Sequence, residues 1–373
     1  MSDNNYTLSW KARCVLWRNA VLGSPGFQRW ASRTPIVRGI ARRKAAAQFD
    51  MIAGFVYAQV LAAFVESELI HFLNGHLRSL VEVAEFTQLV PEAAARLLHA
   101  GESLQISESL DHDLWTLGEA GAALSCNTGA MAMIRHHRLL YQDLTDPLTL
   151  FAKNRREETA LSAYWTYASK SNSQEKAADY SELMAATQPM VSQQIIDAYD
   201  FKAHRRMLDV GGGSGAFAAA ILQSAPELEV GIFDLPEVIE SAKQRFADAP
   251  ISANWQLHPG SFKASPLPEG YDLITLSRIL HDHDDDVAQT LLAKIYSALP
   301  TGGRLLIIEP TADSPHAKPM GHAYFGLYLW AMGSGRPRTL AELQMMLKAA
   351  GFANIRPVRT ALPIITSALV AIK

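Results

Sequence analysis

Two stretches of the chain hold residue types whose spacing points to chemistry. The first is Met207-Leu208-Asp209-Val210-Gly211-Gly212-Gly213-Ser214-Gly215-Ala216. A strand-like apolar run leads into glycines, and AFAAAILQS then reads as a helix. Glycines at such a junction permit a tight turn and bring the backbone close to a ligand at a helix N-terminus. Gly211, Gly213 and Ala216 also satisfy the dinucleotide pattern G-x-G-x-x-G/A, so the loop alone does not choose a cofactor. Asp209 favours a methyl donor. A carboxylate at the strand end can reach the amino group of S-adenosyl-L-methionine directly or through a water, where nicotinamide-binding loops usually carry an apolar residue. Asp234 ends the next strand-like run, 25 residues after Asp209, and can accept hydrogen bonds from both ribose hydroxyls of either cofactor. The expected cofactor is S-adenosyl-L-methionine.

The second stretch is Ser277–Asp286, SRILHDHDDD. Methyl transfer from a sulfonium to oxygen is an in-line displacement, and an alcohol attacks well only as its proton leaves. Histidine, with an ordinary pKa near 6.5, suits that proton transfer. His281 follows the strand-like run DLITLS and falls near the carboxyl ends of the strands, where such sheets bind ligands. Glu309 ends the next strand, 28 residues later, and can accept the other ring N–H and fix the tautomer. The expected catalytic set is His281, Glu309 and Asp282, with His283 as the local rival base. The acidic run also invites a metal reading. Six adjacent residues make a better solvated helix cap than a ligand set, and no metal is expected.

These residues need elements to position them. From residue 201 onward, β-branched runs alternate with helical segments: MLDV, EVGIFD, DLITLS and RLLIIEP are separated by helices, with terminal strands near Ile355–Val358 and Ala368–Ile372. That alternation predicts a doubly wound α/β sheet with an antiparallel last pair. Residues 45–75 predict one helix, from Phe49, Ile52, Phe55, Val56, Val60, Phe64 and Val65 at near-helical spacing. Ser79 with Glu82 forms a capping box, Pro91 opens the next helix, and Gln105–Ile106 with Leu114–Leu117 suggest a two-stranded wing. The layout is winged-helix, for dimerisation or DNA binding. The expected divisions are a basic arm (1–44), a winged-helix-like dimerisation domain (45–125), a helical connector (126–200) and a cofactor-binding domain (201–373).

Composition narrows the class. The 373 residues are 49% hydrophobic and 19% charged, which excludes a disordered chain. Two cysteines cannot build a disulfide framework or a four-cysteine zinc site. A net charge of −3, and a candidate recognition helix holding Glu92 beside Arg96 and His99, argue against nucleic acid as partner. The charge is unevenly spread. Residues 1–50 carry a formal +7, with nine bases and no acid between Asp3 and Asp50. Trp10, Trp17 and Trp30 lie among the bases, a pattern suited to an anionic membrane surface or to a partner subunit. The first apolar stretch is broken by Lys11, Arg13 and Arg18, so no signal peptide is expected. The longest apolar run, Met51–Val65, falls short of the ~20 residues that span a bilayer. The expected location is the cytoplasm, with peripheral contact on the inner membrane face.

In combination, LDVGGGSG, FDLPEVIE, Gly260-Ser261-Phe262, SRILHDHDDD and GGRLLIIEP resemble the plant-type small-molecule O-methyltransferases. The resemblance runs from about residue 45 to Lys373. It implies a Rossmann-like class I methyltransferase sheet behind a mostly helical winged-helix dimerisation domain, and a homodimer. It implies cofactor contacts from Asp209, Gly211, Gly213, Asp234, Leu235, Ser261, Phe262, Ser277 and Arg278. Two of these depart from the pattern: Ser261 stands for an aspartate that contacts adenine, and Ser277 for a lysine near the ring. A closer likeness within the family is to bacterial hydroxyneurosporene or demethylspheroidene O-methyltransferases of carotenoid synthesis. It is carried by FQRWASRTPIVRGIARRKA, IRHHRLLYQDLTDP and AMGSGRPRT.

His322, Tyr324, Phe325 and Tyr328, read at helical spacing, form an aromatic face that can line a pocket for a large apolar acceptor. The expectation is O-methylation of the tertiary hydroxyl of an acyclic hydroxycarotenoid. The enzymatic alternative is a phenolic polyketide or bacteriochlorophyll precursor. The non-enzymatic alternative is a winged-helix regulator that binds the cofactor without turnover.

Overall fold

Ser9 and Ser24 open the first two helices by accepting the backbone N–H of Ala12 and Phe27, three residues on. The computed structural model describes residues 8–111, 113–152, 158–165, 174–248, 254–315 and 317–373. The chain divides into two units, Met1–Ala122 and Ala123–Lys373.

The first unit begins with α1 (Trp10–Leu22), α2 (Pro25–Arg33) and α3 (Pro35–Glu66). Proline stands at the start of α2 and α3, where a missing N–H is harmless. The helix expected over 45–75 therefore starts ten residues earlier. It ends at Ser67, before the left-handed Glu68, and α4 (Leu69–Leu73) follows. Strand β1 (Arg78–Ser79) leads into α5 (Leu80–Thr87), whose Ser79–Glu82 capping box is formed in both directions. Pro91 opens α6 (Pro91–Ser103). Then β2 (Ser107–Leu110) pairs antiparallel with β3 (Leu114–Leu117), and β1 pairs on the other edge of β3. The wing is thus three-stranded, and its first long strand begins two residues after the expected Gln105–Ile106. Gln105 has positive φ and makes the turn instead. Phe64, Leu69, Ile70, Leu73 and Leu98 are fully buried here.

The helices α1 and α2 bury only Ala31 between them. Helix α3 buries only Ala62, Phe64 and Val65, near its end, and exposes Phe49, Met51, Ile52 and Phe55. With 32 residues it is long and apolar enough, by length and composition only, to cross a membrane. The expectation that no segment reaches that length is corrected: the unbroken apolar run stops at Asp50, whereas the helix carries its apolar length on through that one charge. Helix α7 (Glu119–Ser125) crosses the division between the units.

The second unit opens with α8 (Thr128–Asp143), α9 (Pro147–Ala152), α10 (Ala160–Tyr164) and α11 (Gln174–Ala198). The stretch expected as a connector thus belongs to the unit that carries the large sheet. That sheet comprises β4 (Arg206–Val210), β5 (Glu229–Asp234), β6 (Trp255–Pro259), β7 (Leu273–Ser277), β8 (Arg304–Glu309), β9 (Ala353–Val358) and β10 (Ser367–Ile372). Their order is β6-β5-β4-β7-β8-β10-β9, parallel except for β10, which runs antiparallel to both neighbours.

Near-continuous apolar strands are buried on both faces, as parallel sheets require. On one face α11, α12 (Ala216–Ser224) and α13 (Pro236–Asp248) supply Ile195, Phe217, Ile221, Ile239 and Phe246. On the other, α14 (Asp285–Ala298) and α16 (Leu340–Ala349) supply Leu291, Ile295, Leu343 and Leu347. The short α15 (Gly326–Met332) lies between them in sequence and packs with α8 and α10 through Tyr328, Leu329 and Leu140. Strand order reverses between β4 and β7. In open α/β sheets that crevice is where ligands bind.

Candidate active site

Asp209 is the penultimate residue of β4 and pairs in register with Thr275 of β7. The Thr275 hydroxyl donates to Asp209 Oδ1 at 2.7 Å. Asp209 Oδ2 is buried with no hydrogen-bond partner among the described residues. Burial, the largest influence, pushes this carboxyl up to about 7, against the bond from Thr275. A carboxylate built into the strand end with one oxygen left over fits a cationic or N–H-bearing ligand group.

The glycine loop then turns sharply. Gly211 has φ +72, and a Cβ there would sit 2.4 Å from the Ile279 side chain, so no other residue suits the position. Asp234, ending β5, accepts the backbone N–H of Gly213 at 2.7 Å through Oδ2 and that of Leu235 at 2.7 Å through Oδ1. Each oxygen keeps a lone pair. Burial pushes its pKa up to about 6 despite those two bonds.

A cavity of about 210 Å³ lies at this end of the sheet. Asp209, Gly211, Gly213, Asp234, Leu235, Ser261, Phe262, Ser277 and Arg278 all line it, so the nine residues expected to hold a cofactor are brought together. Lys294 of α14 fixes the Ser261–Ser265 turn by donating to the carbonyls of Phe262 (2.6 Å) and Ser265 (3.1 Å). Arg278, at φ +59, reaches across to α11 and donates to Thr187 Oγ1 and Gln188 Oε1, each at 2.6 Å, and to the Met184 carbonyl at 2.9 Å. Met184, Ala185 and Gln188 thereby line the cavity too.

Beside the cavity, Glu309 Oε1 accepts the backbone N–H of Ile279 (2.9 Å) and of Leu280 (2.7 Å). Its Oε2 bonds to His281 Nδ1. The other ring nitrogen, Nε2, faces Asp282 Oδ1 at 3.2 Å. Burial pulls the His281 pKa down, but the charges of Asp282 and Glu309 outweigh it and the net shift is upward. Burial pushes Asp282 up to about 6. Asp282 and His283 line the cavity, and Asp282 leads through His281 to Glu309. Burial holds His283 down to about 4, so it is neutral, and its ring meets Phe262 edge-on at 5.2 Å.

The rest of the acidic run has structural work. Asp284 Oδ1 accepts the Gly335 N–H at 3.0 Å, and Asp286 Oδ1 the Val287 N–H at 2.8 Å. Asp285 receives Arg336 and the fully buried Arg338, which also donates to the Leu280 (2.5 Å) and His283 (2.8 Å) carbonyls. Gly335 is close enough that a Cβ would lie 2.0 Å from the His281 carbonyl oxygen. The 334–338 strap therefore fixes the backbone of the His281 turn.

The aromatic quartet is expected to face the acceptor rather than the cofactor. None of His322, Tyr324, Phe325 and Tyr328 lines the cavity, and His322 is exposed. A π-helical stretch, Met320–Phe325, precedes α15. Its extra residue per turn rotates the face that uniform helical spacing predicts. Phe325 still meets the His281 ring edge-on at 6.1 Å. Tyr324 and Tyr328 turn instead to His137 (2.7 Å) and His136 (2.9 Å) of α8. Sequence reasoning missed Thr275, Gln188, Lys294 and Arg338. Thr275 had a signal, as the lone polar residue inside an apolar strand; the others had none.

A doubly wound sheet with an acidic strand end, a glycine loop and a ribose-type acceptor defines a nucleotide-binding methyl-transfer fold. Residues 141–353 match the O-methyltransferase domain family. The chain is 40% identical over 342 residues to demethylspheroidene O-methyltransferase of Rhodobacter capsulatus, covering 91% of this chain and 85% of that protein. It is 37% identical to the enzyme so named from Cereibacter sphaeroides, over 94% and 93% of the two chains. The fold is similar to that of human N-acetylserotonin methyltransferase in complex with SAM, at TM-score 0.73 and 24% identity, covering 88% and 97%. The chain belongs to the plant-type O-methyltransferase family and is an S-adenosylmethionine-dependent O-methyltransferase.

Proposed function

We propose that this protein methylates the tertiary hydroxyl of an acyclic hydroxycarotenoid. The observation that carries the chemistry is the adjacency of the Asp209–Asp234 cavity to the Glu309–His281–Asp282 array. S-adenosyl-L-methionine supplies an electrophilic methyl carbon when bound. Asp209 Oδ2 would hold its amino group, Asp234 its ribose hydroxyls, and Ser261, Phe262 and His283 its purine end. Leu235, Ser277 and Arg278 complete the walls. Glu309 fixes His281, the general base, whose turn is held by Arg338 and Gly335. Alignment and a waiting proton acceptor are the protein's contribution to an in-line displacement. The relatives' names support an apolar hydroxylated acceptor. Incubation with methyl-labelled cofactor and a hydroxycarotenoid should give a labelled ether. Label on phenolic polyketides or bacteriochlorophyll precursors alone would replace the acceptor; cofactor binding without transfer to any acceptor would favour a regulator.

The partners extend this reading. We propose that residues 45–125 form a dimerisation domain, through the exposed Phe49, Ile52 and Phe55 of α3. The arm, residues 1–44, docks on an anionic membrane, through its bases with the exposed Trp10 and Trp17. Each base near such a surface contributes on the order of 1 kcal/mol, screened by salt. Co-sedimentation with anionic vesicles at low salt, release at high salt and loss on deleting residues 1–44 are expected. No low-salt binding removes the membrane contact, and a single-subunit mass in solution removes the dimer.

A further inference from the structure

Two adjacent histidines of α8 hold the aromatic stretch before and within α15. His137 Nε2 hydrogen-bonds to the Tyr324 hydroxyl at 2.7 Å, and His136 Nε2 to the Tyr328 hydroxyl at 2.9 Å. Burial pulls both histidines below their usual range, His136 to about 4, so neutral rings make these bonds and no charge is buried. Between the two tyrosines lies Phe325, the last residue of the π-helical stretch. A π-turn is a rare local state that its surroundings must hold. Near its start, Gly321 packs so tightly that a Cβ would lie 2.3 Å from the Ala312 carbonyl oxygen. At its end stand the two His–Tyr bonds. Phe325 meets the Tyr324 ring at 5.0 Å and the His281 ring at 6.1 Å, both edge-on and within the range of aromatic pairs. The His281 ring is tied to Glu309 through Nδ1. One hydrogen bond leaves a ring free to tilt about it, so the wall against that ring decides where Nε2 aims.

We propose that His136 and His137 are positioning residues for methyl transfer: through Tyr328 and Tyr324 they hold the π-turn so that Phe325 fixes the tilt of the His281 ring. This rests on the methyl-transfer reading above, with His281 as the general base. None of His136, His137, Tyr324, Phe325 and Tyr328 lines the cofactor cavity, so their effect passes through the aim of the base and leaves the cofactor's hold unaltered. The charge of Asp282 acts on Tyr328, which sets the second pair beside the histidine turn. Proton transfer is steep in geometry, and a misplacement of ~1 Å can cost about 100-fold in rate.

Tyr324→Phe combined with Tyr328→Phe keeps both rings and removes both bonds. With methyl-labelled cofactor and a hydroxycarotenoid in detergent, kcat should fall at least tenfold. The Kd for S-adenosyl-L-methionine and the acceptor KM should stay within about threefold, which also shows the variant to be folded. Phe325→Leu should reproduce the fall, and in that background the two tyrosine substitutions should cost less than a further twofold. His137→Leu should match Tyr324→Phe alone, and joining those two should add less than twofold, because each removes the same bond. A merely structural tie would lower the melting temperature in either background and leave kcat unmoved. A double tyrosine variant with kcat within threefold of wild type overturns the proposal. So does an undiminished further loss in the Phe325→Leu background, because the tyrosines would then act without Phe325. Failure of the methyl-transfer reading shows separately, in a wild-type protein that transfers no label.

Discussion

Binding of the cofactor should expel protons, because two carboxyls in its cavity are partly neutral beforehand. Asp209 stands at about 7 and Asp234 at about 6. At about pH 6.5, roughly three quarters of the first and one quarter of the second carry a proton, together about one proton per chain. An ammonium on Asp209 Oδ2 and hydroxyls on Asp234 both favour the ionised forms, so binding releases about one proton. The cofactor's own amino group stays charged there, since α-amino groups titrate near ~7.7–8.0. A charge-assisted hydrogen bond contributes about 1.5–3 kcal/mol. Ionising Asp209 first costs about 0.8 kcal/mol at that pH, leaving about 1–2 kcal/mol. Asp209→Asn should therefore weaken binding by roughly 5–30-fold and cut proton release to about a quarter. Calorimetry in two buffers of different ionisation heat measures both. A wild-type binding heat independent of buffer would refute the reasoning, as would an undiminished proton count in the variant.

Three further outcomes follow from the same geometry. Asp234→Ala should weaken S-adenosyl-L-methionine binding by roughly 1–3 kcal/mol with no gain in NAD affinity, read by the same titration. His283→Phe, which removes any possible base but keeps a ring beside Phe262, should change kcat less than tenfold; a loss of 100-fold or more would return His283 to the chemistry. Arg338→Met should lower unfolding free energy by about 2–4 kcal/mol in urea titration. The cause is the orphaned Leu280 and His283 carbonyls at ~1–3 kcal/mol each, since Asp285 remains largely in water. The two buried carboxyls also set the sign of the pH dependence. Their folded pKa values lie above the unfolded 3.8, so the ligand-free protein is most stable below about pH 4 with respect to them, and that contribution is lost as pH rises through about 6 to 7.

The sequence by itself determined the donor half of the site. A strand-glycine-helix run and an acid at the next strand end are local, and parallel strands alternating with helices bring strand ends together whatever the details of packing. Hence Asp209 and Asp234 could be placed on one cavity from spacing, and Phe262 and Arg278 from the family resemblance. His281 and Glu309 were legible for the same reason, as the ends of neighbouring strands β7 and β8. What only the tertiary structure decided depends on side-chain direction and on long-range contact. Nothing in His281-Asp282 says that the carboxyl would turn onto its neighbour's ring and toward the cavity. Nothing in AMGSGRPRT says that a buried arginine would clamp a turn more than fifty residues earlier. The phase of residues 322–328 is likewise decided by the fold, because hydrophobic spacing assumes one helical period and a single π-turn, invisible in residue types, shifts it.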